Sequence, residues 1–511
     1  MITKINSAGL TGIDGYCVRV ETDISNGIPT WDVVGIPDMA VRESKERIRS
    51  ALKNSGLTIP GKRILVNLAP ADIKKEGTCL DLPIAMGILT ASEQIFIQEP
   101  ERTFFLGELS LDGSLRSVRG ALPMAITAYQ SGARQLFLPA ENASEAAVVE
   151  GLTVYGAESV TDIFKHFTGE RRISPTKVDT EHLFDNAVQN APDFFDVKGQ
   201  DSAKRALEIA AAGSHNLLMI GPPGSGKTML AKRIPSILPS LTFDEALEVT
   251  KVHSIAGKLP KDLPMVVTRP FRSPHHTVSA VGLTGGGAGV PKPGEISLAH
   301  HGILFLDELP EFRKDALEVM RQPLEDGTVT ITRAGGTFSY PCNIMLVASM
   351  NPCPCGYYGD KNHDCGCSPK SISKYLSKVS GPLLDRIDLH IEVPAVDYEA
   401  LESRSTAEHS ADIKRRVDKA REIQTRRYAG TGIYSNSRLT AAMLDEFCAL
   451  DSEGSTLLKN AFEALGLSAR AHSRILKVAR TIADLGGREK IAAADIAEAI
   501  RYRSLDRKFW A

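Results

Sequence analysis

The chain of 511 residues, 42% hydrophobic and 24% charged, has the make-up of a globular protein too long for one core, so two to four domains are expected. A net charge of −2 and a pI near 6.7 exclude a global basic field, which confines any nucleic-acid surface to a pore or groove. Met1-Ile-Thr-Lys-Ile-Asn-Ser is not a secretion signal and no apolar run reaches about eighteen residues, so a cytoplasmic protein with no membrane partner is expected, its eight cysteines reduced.

Strand-like pieces open the chain at Tyr16-Cys-Val-Arg-Val-Glu, Trp31-Asp-Val-Val-Gly, Ile64-Leu-Val-Asn-Leu and Phe104-Phe-Leu-Gly-Glu-Leu, with helical pieces at Ala40 to Asn54 and Leu80 to Ser92. This mixed order, running to residue 167, predicts an α+β or split βαβ domain. Val33-Val-Gly-Ile-Pro-Asp38, Asn67-Leu-Ala-Pro-Ala-Asp72 and Asp81-Leu-Pro-Ile-Ala resemble the N-terminal domain of the ComM and YifB family of magnesium-chelatase-like AAA+ ATPases. That resemblance implies a Lon-protease-like domain with a ribosomal-protein-S5-like fold. In it Cys79 stands where a Lon-type nucleophilic serine would be, and Leu122 where its lysine would be. A thiol without a matched base is a poor nucleophile, so the domain reads as an assembly or substrate-guiding module, not an active protease.

Residues 168–192, with Thr168-Gly-Glu-Arg-Arg-Ile-Ser-Pro-Thr-Lys, lack periodicity and read as a linker. An ATPase core is expected over 193–395 and a helical lid over 396–511. Phe195-Asp-Val-Lys-Gly199-Gln200 resembles the segment lining the adenine pocket in AAA+ proteins, which implicates Val197 and Gly199.

The apolar run Leu217-Leu-Met-Ile220 leads into Gly221, Pro222, Pro223, Gly224, Ser225, Gly226, Lys227 and Thr228, and then into a helical stretch. Strand, glycine loop and helix is the context of a phosphate cradle, in which backbone N–H groups surround the phosphates. Lys227 would reach the β- and γ-phosphates of ATP, and Thr228 would help hold Mg²⁺. Further on, Gly302-Ile-Leu-Phe-Leu-Asp307-Glu308 reads as a buried strand ending in two carboxylates. Asp307 is assigned to Mg²⁺ and Glu308 to the base that polarises water. Together the two stretches predict an ATPase with a parallel α/β sheet.

Two stretches read as insertions. Residues 271–294, containing His275, His276 and Lys292, are too glycine-rich for a core element, and the histidines read as loop hydrogen-bonders. Residues 328–341 alternate around Gly335-Gly336 and predict a β-hairpin with its tip near Arg333 to Gly336. They resemble the helix-2 insert and pre-sensor-1 hairpin of the branch that holds magnesium chelatase, MoxR proteins and minichromosome-maintenance helicases. That implies a DNA-phosphate contact for Arg333, with Lys292 beside it; an exposed hairpin with one solvated arginine is the alternative.

Ile344-Met-Leu-Val-Ala-Ser-Met reads as a buried strand, and Asn351 after it resembles the sensor-1 asparagine that orients water. Cys353, Cys355, Cys365 and Cys367 form two C-x-C pairs, enough for a structural Zn²⁺ with His363 as a substitute ligand, or else a loop of reduced thiols. Pro382-Leu-Leu-Asp-Arg386-Ile-Asp388 resembles an arginine-finger segment, which implies catalysis between subunits.

Ile413 to Arg427 reads as a helix whose seven Lys and Arg side chains form a solvated or nucleic-acid-facing surface. In the closing helices Arg470 resembles the sensor-2 arginine, with Arg474 one turn on as the weaker candidate. As a whole the resemblance implies a hexameric ring driven by ATP along single-stranded or branched DNA, promoting branch migration during natural transformation. The alternatives are a MoxR-like remodeller of a protein client and a chelatase-type ATPase.

Overall fold

The computed structural model describes residues 2–185, 192–260, 263–287, 290–333, 336–360, 363–395 and 408–510. The expected edges of the linker (192) and lid (396) therefore adjoin segments outside the described residues, and so does part of the hairpin tip, Ala334 and Gly335.

The N-terminal region is built on a seven-stranded mixed sheet, whose strands begin in spatial order at Trp31, Arg63, Asp14, Ile2, Thr103, Gln135 and Thr153. Ile2–Thr11 pairs antiparallel with Asp14–Ser25 and parallel with Thr103–Phe105. Alternation along the strands serves two cores, since successive side chains point to opposite faces. Ile5 and Phe105 bury themselves under helices Met39–Asn54 and Asp81–Ala91, whereas Ala8 and Phe104 bury under helix Ala121–Gln130. The strand Ile2–Thr11 carries too many polar residues to be legible in advance. Phe104 to Leu109, expected as one strand, is two: Thr103–Phe105 in the main sheet and Glu108–Leu109 in a separate two-stranded pairing.

The expected linker is partly structured. Thr176 bridges to Val154 of the N-terminal sheet, and Thr180–Asp185 is helical.

The second sheet is five-stranded and wholly parallel, with strands in the order Phe271–Arg272, Ile303–Leu306, Met345–Met350, Leu217–Ile220 and Leu389–Glu392. Its central strands are apolar throughout because both faces are covered. Leu217 and Met219 pack on one side, and Leu218 and Ile220 on the other. The glycine-rich insertion starts with the edge strand Phe271–Arg272, so its beginning belongs to the core sheet after all: Phe271 pairs with Ile303 and stacks on the Phe305 ring.

Helices Ser410–Arg427, Ser452–Leu465, Ala469–Leu485 and Ala493–Arg501 form the C-terminal bundle. The basic helix Ser410–Arg427 departs from expectation. Lys414 donates to Leu238 O, Arg416 pairs with Glu208 and Glu408, Arg421 donates to Ala211 O, and Arg427 pairs with Asp484. Lys414, Arg416 and Arg421 hold the bundle against the core, whereas Arg427 ties two helices of the bundle to each other; Arg415, Lys419 and Arg426 are the exposed ones.

The N-terminal region is fastened to helix Phe243–Ala256 by a buried carboxylate. Glu145 accepts from the Leu122 N–H and from the Ser254 hydroxyl, while Gly120 N–H donates to Ser254 O.

Candidate ATP site and its surroundings

The loop 221–226 follows strand Leu217–Ile220 and opens into helix Lys227–Ala231. Gly224 and Gly226 have φ of +78° and +87°, a conformation glycine adopts without cost, and Gly224 faces open space. A Cβ on Gly221 would lie 2.1 Å from Val393 O. Lys227 Nζ is buried and donates to Gly221 O and Pro222 O at 2.8 Å and to Asn351 Oδ1 at 3.2 Å. All three acceptors are neutral, and burial pushes Lys227 down to about 8. A cation held this way lacks its anion, and a bound phosphate group supplies one, so the residues present fit a nucleotide. Ser225 is buried and Pro223 exposed.

Thr228 Oγ1 donates to Asp307 Oδ2 at 2.7 Å, and Ser349 donates to Asp307 Oδ1. Neighbouring parallel strands therefore bring Thr228, Asp307, Ser349 and Asn351 to one point at their carboxyl ends, the usual ligand position in such sheets. A hydroxyl and a carboxylate meeting there are the hard oxygen donors that Mg²⁺ takes. Ser349 was not foreseen; its only signal was a lone polar residue in an apolar strand.

Glu308 is exposed, at φ +55°, with its N–H bonded to Asp307 Oδ1. His276 Nδ1 stands 3.5 Å from Glu308 Oε2. The histidine read as a loop hydrogen-bonder thus touches the carboxylate read as the base, and ties the 271–294 insertion to it.

Val197 and Gly199 part ways. Val197 is fully buried in the hydrophobic core and only Gly199 lines the cavity beside the cradle, together with Gln200, Gly221 and Pro222.

The four clustered thiols all lie within 4.8 Å of one another. Cys353 Sγ is 3.3 Å from Cys355 and 3.7 Å from Cys365, and Cys355 is 3.6 Å from Cys365. A tetrahedral ion with metal–sulfur bonds near 2.3 Å spaces its sulfurs about 3.8 Å apart, so the cluster fits a four-thiolate metal. The Gly356 N–H donates to Cys353 Sγ at 3.2 Å, and the Tyr357 N–H, with the neighbouring thiols, holds Cys355 down at about 6. His363 lies instead against Asp360 and the Tyr357 ring. The knuckle packs on the phosphate cradle: a Cβ on Gly356 would stand 2.5 Å from Pro223 Cδ.

A second cluster, Glu248 with His300 and His301, does not suit a metal. His300 Nδ1 accepts the Asn343 N–H, so Nε2 carries the hydrogen and donates to Glu248 Oε2 at 3.0 Å. Burial pushes His300 down to about 4. The group clamps the start of strand Ile303–Leu306 to helix Phe243–Ala256.

Arg386 and Arg470 both face Glu325; Arg386 donates to it and to Pro382 O, and Arg470 lies 4.0 Å from it. Arg474 is spent within the chain: it donates to Arg386 O and to buried Asp388, which also accepts from the Asn216 N–H. Asn216 precedes strand Leu217–Ile220, so this arginine group stands at the amino end of the sheet, about 13 Å of strand from the cradle. Neither Arg386 nor Arg470 is on the phosphate side of its own chain. The placement of Arg470 against the γ-phosphate is met only if that phosphate belongs to a second copy.

Thr328–Arg333 and Gly336–Pro341 form the expected antiparallel hairpin. Exposed Arg333 has an Nη 3.3 Å from the point a Cβ on Gly286 would occupy, and Gly286 pairs with exposed Lys292. The two candidate DNA residues therefore sit on adjoining hairpins.

The chain matches the family model for magnesium chelatase, subunit ChlI, over residues 193–401, that for subunit ChlI of Mg-chelatase over 20–142, and that for the subunit ChlI C-terminal region over 407–503. It is 44% identical over 506 residues to competence protein ComM of Haemophilus influenzae, covering 98% of this chain and 97% of that protein. With the YifB protein of Escherichia coli it shares 42% identity over 509 residues, covering 99% and 98%. The magnesium-chelatase 67 kDa subunit of Chlorobaculum tepidum is 28% identical over 163 residues, 31% of this chain and 23% of that subunit.

Proposed function

The chain belongs to the ComM and YifB family of magnesium-chelatase-like AAA+ proteins, and on that premise we propose that it is an ATP-driven ring motor, a hexamer, that moves along single-stranded or branched DNA during recombination of incoming strands. One observation carries this reading. The candidate base Glu308 lies against His276 of the insertion, and that insertion's hairpin adjoins the hairpin bearing Arg333, whose guanidinium stands 3.3 Å from where a Cβ on Gly286 would be. A single chain of contacts thus joins hydrolysis to two exposed cations suited to DNA phosphates.

Lys227 holds the β- and γ-phosphates, and Asn351 and Glu308 orient and polarise the attacking water. Thr228 and Asp307 hold the magnesium ion, which when bound neutralises charge across the phosphate oxygens. Arg386, and with it Arg470, reach the γ-phosphate of the neighbouring subunit, so hydrolysis requires assembly. Cys353, Cys355, Cys365 and Cys367 hold a structural zinc ion that braces the cradle through Gly356 and Pro223. Arg333 and Lys292 grip backbone phosphates, which makes binding tolerant of sequence and weaker as salt rises.

The same reading divides the chain into a Lon-like module over 1–167, a linker over 168–192, a core over 193–395 and a lid over 396–511. The Lon-like module performs no proteolysis: packing pushes the Cys79 thiol up to about 12, and Leu122 is buried helix. A competence role is taken from the name of the Haemophilus influenzae relative.

The test is ATP hydrolysis with and without forked DNA, for the natural protein and Arg333→Ala. Stimulation lost in the variant, with basal hydrolysis intact, is expected. No response to any DNA would favour a protein remodeller whose hairpin grips polypeptide.

A further inference from the structure

At the amino end of the five-stranded sheet, the end opposite the cradle, a cavity of about 290 Å³ lies between the core and the C-terminal bundle. Its wall holds three arginines, Arg269, Arg421 and Arg438, with Glu245, Asp326 and Tyr434. The charges do not balance. Arg269 is paired with Glu245 at 2.9 Å, and that carboxylate also accepts the Thr242 N–H. Among the described residues Arg421 reaches only neutral oxygens, Tyr434 O, Ala211 O and Ser214 Oγ, and its buried Nε has no partner. Packing and the neighbouring Arg269 push Arg421 down to about 10. Arg438 is likewise pushed down by burial, and among the described residues its guanidinium has no hydrogen bond and no carboxylate within ion-pair distance. Asp326 sits on the exposed rim and forms no ion pair among the described residues.

Packing a guanidinium into protein without a counter-ion is costly unless something else supplies the negative charge. Two such groups on one cavity wall have no carboxylate in direct contact among the described residues; Glu245 and Asp418 act on Arg421, and Asp388 on Arg438, only from a distance. Planar guanidinium forks match the oxygens of phosphate, and the cavity is at the small end of the ligand-pocket range. We propose that this cavity is a second anion site, distinct from the ATP site, which takes a small phosphate-bearing molecule between Arg421 and Arg438. Its occupant bridges the core, through the Asn343–Met345 wall, to the bundle, through Arg421 and Gly432–Arg438. Binding there fixes the bundle against the sheet and so regulates the arginine group at the same end.

The test is calorimetric titration of inorganic pyrophosphate into full-length Lys227→Ala protein, in which the cradle no longer holds phosphate. One binding site per chain is expected, weakened at least about tenfold by adding Arg438→Gln and less by Arg438→Lys. Pyrophosphate is also expected to slow hydrogen exchange over Gly432–Arg438 in the Lys227→Ala protein, a readout that needs no second variant. Absence of binding in Lys227→Ala protein, binding unmoved by Arg438→Gln, or unprotected exchange over that segment would each overturn the proposal.

Discussion

The two ends of the core sheet are unlike in a way that composition hides. At the carboxyl end Lys227, Thr228, Asp307, Ser349 and Asn351 converge on one another through hydrogen bonds. At the amino end Arg386 and Arg470 share a single exposed glutamate, and Arg421 and Arg438 form no ion pair among the described residues. One end is a hydrogen-bonded cluster around a single lysine that lacks an anion. The other gathers several guanidinium groups, some paired with carboxylates and two held only by neutral groups or by none among the described residues. A chain built this way carries its chemistry in two places too far apart to cooperate internally. Stacking one copy's amino end on the next copy's carboxyl end would unite them, as a heterologous ring does.

The sharpest way to break that contrast is Arg386→Ala. If the arginine serves a neighbour's phosphate, steady-state hydrolysis falls by about 10³- to 10⁵-fold, while nucleotide affinity measured by titration stays within a few-fold. Arg474 should behave differently although it is four residues from Arg470. It compensates buried Asp388, whose carboxyl is held well below its usual range, chiefly by Arg474 against the desolvation of burial. Arg474→Met is expected to cost about 3–5 kcal/mol of folding stability in denaturant titrations, because the buried carboxylate loses its guanidinium and keeps only the Asn216 N–H and His215 beside it. An equally large loss from Arg470→Met would blur the distinction.

At the carboxyl end the effects are smaller. Stripping metal from the cysteine knuckle, or Cys355→Ser, should weaken nucleotide binding about tenfold through the Gly356–Pro223 contact, and metal analysis should find one zinc per natural chain. The pH dependence set by Lys227 is the mildest effect near neutrality. Below pH 8 the lysine is already charged, so affinity is flat. Above about 8 the ligand-free lysine has lost its proton and binding must take one up, so affinity falls by at most about tenfold per pH unit. Titrations in two buffers of unlike ionisation heat at pH 9 would reveal the proton uptake.

What could be read in advance follows from how local each signal is. The cradle, the carboxylate strand Ile303–Leu306 and the hairpin around Arg333 declare themselves because loop chemistry and period-two alternation are local. The helix Ser410–Arg427 misled for the opposite reason: its charges look solvated until Glu208, Asp484 and Ala211 are brought to it from distant parts of the chain. Ser349, a lone polar residue in an apolar strand, and His276, a loop histidine, carry signals too weak to assign a partner, which becomes visible only when Asp307 and Glu308 are placed beside them. That the Val197 side chain is buried in the core was not legible either, because motif position says nothing about which way a side chain turns.

The most direct measurement is hydrolysis by mixed rings. Lys227→Ala and Arg386→Ala proteins, each inactive alone, are combined in equal amounts under conditions that allow subunit exchange. Subunits that retain the cradle then meet neighbours that retain the arginine, and activity should rise to about a quarter of the natural rate for random mixing. No rise above either variant alone, with mixed assemblies demonstrated, would contradict a site shared between the two ends of the sheet.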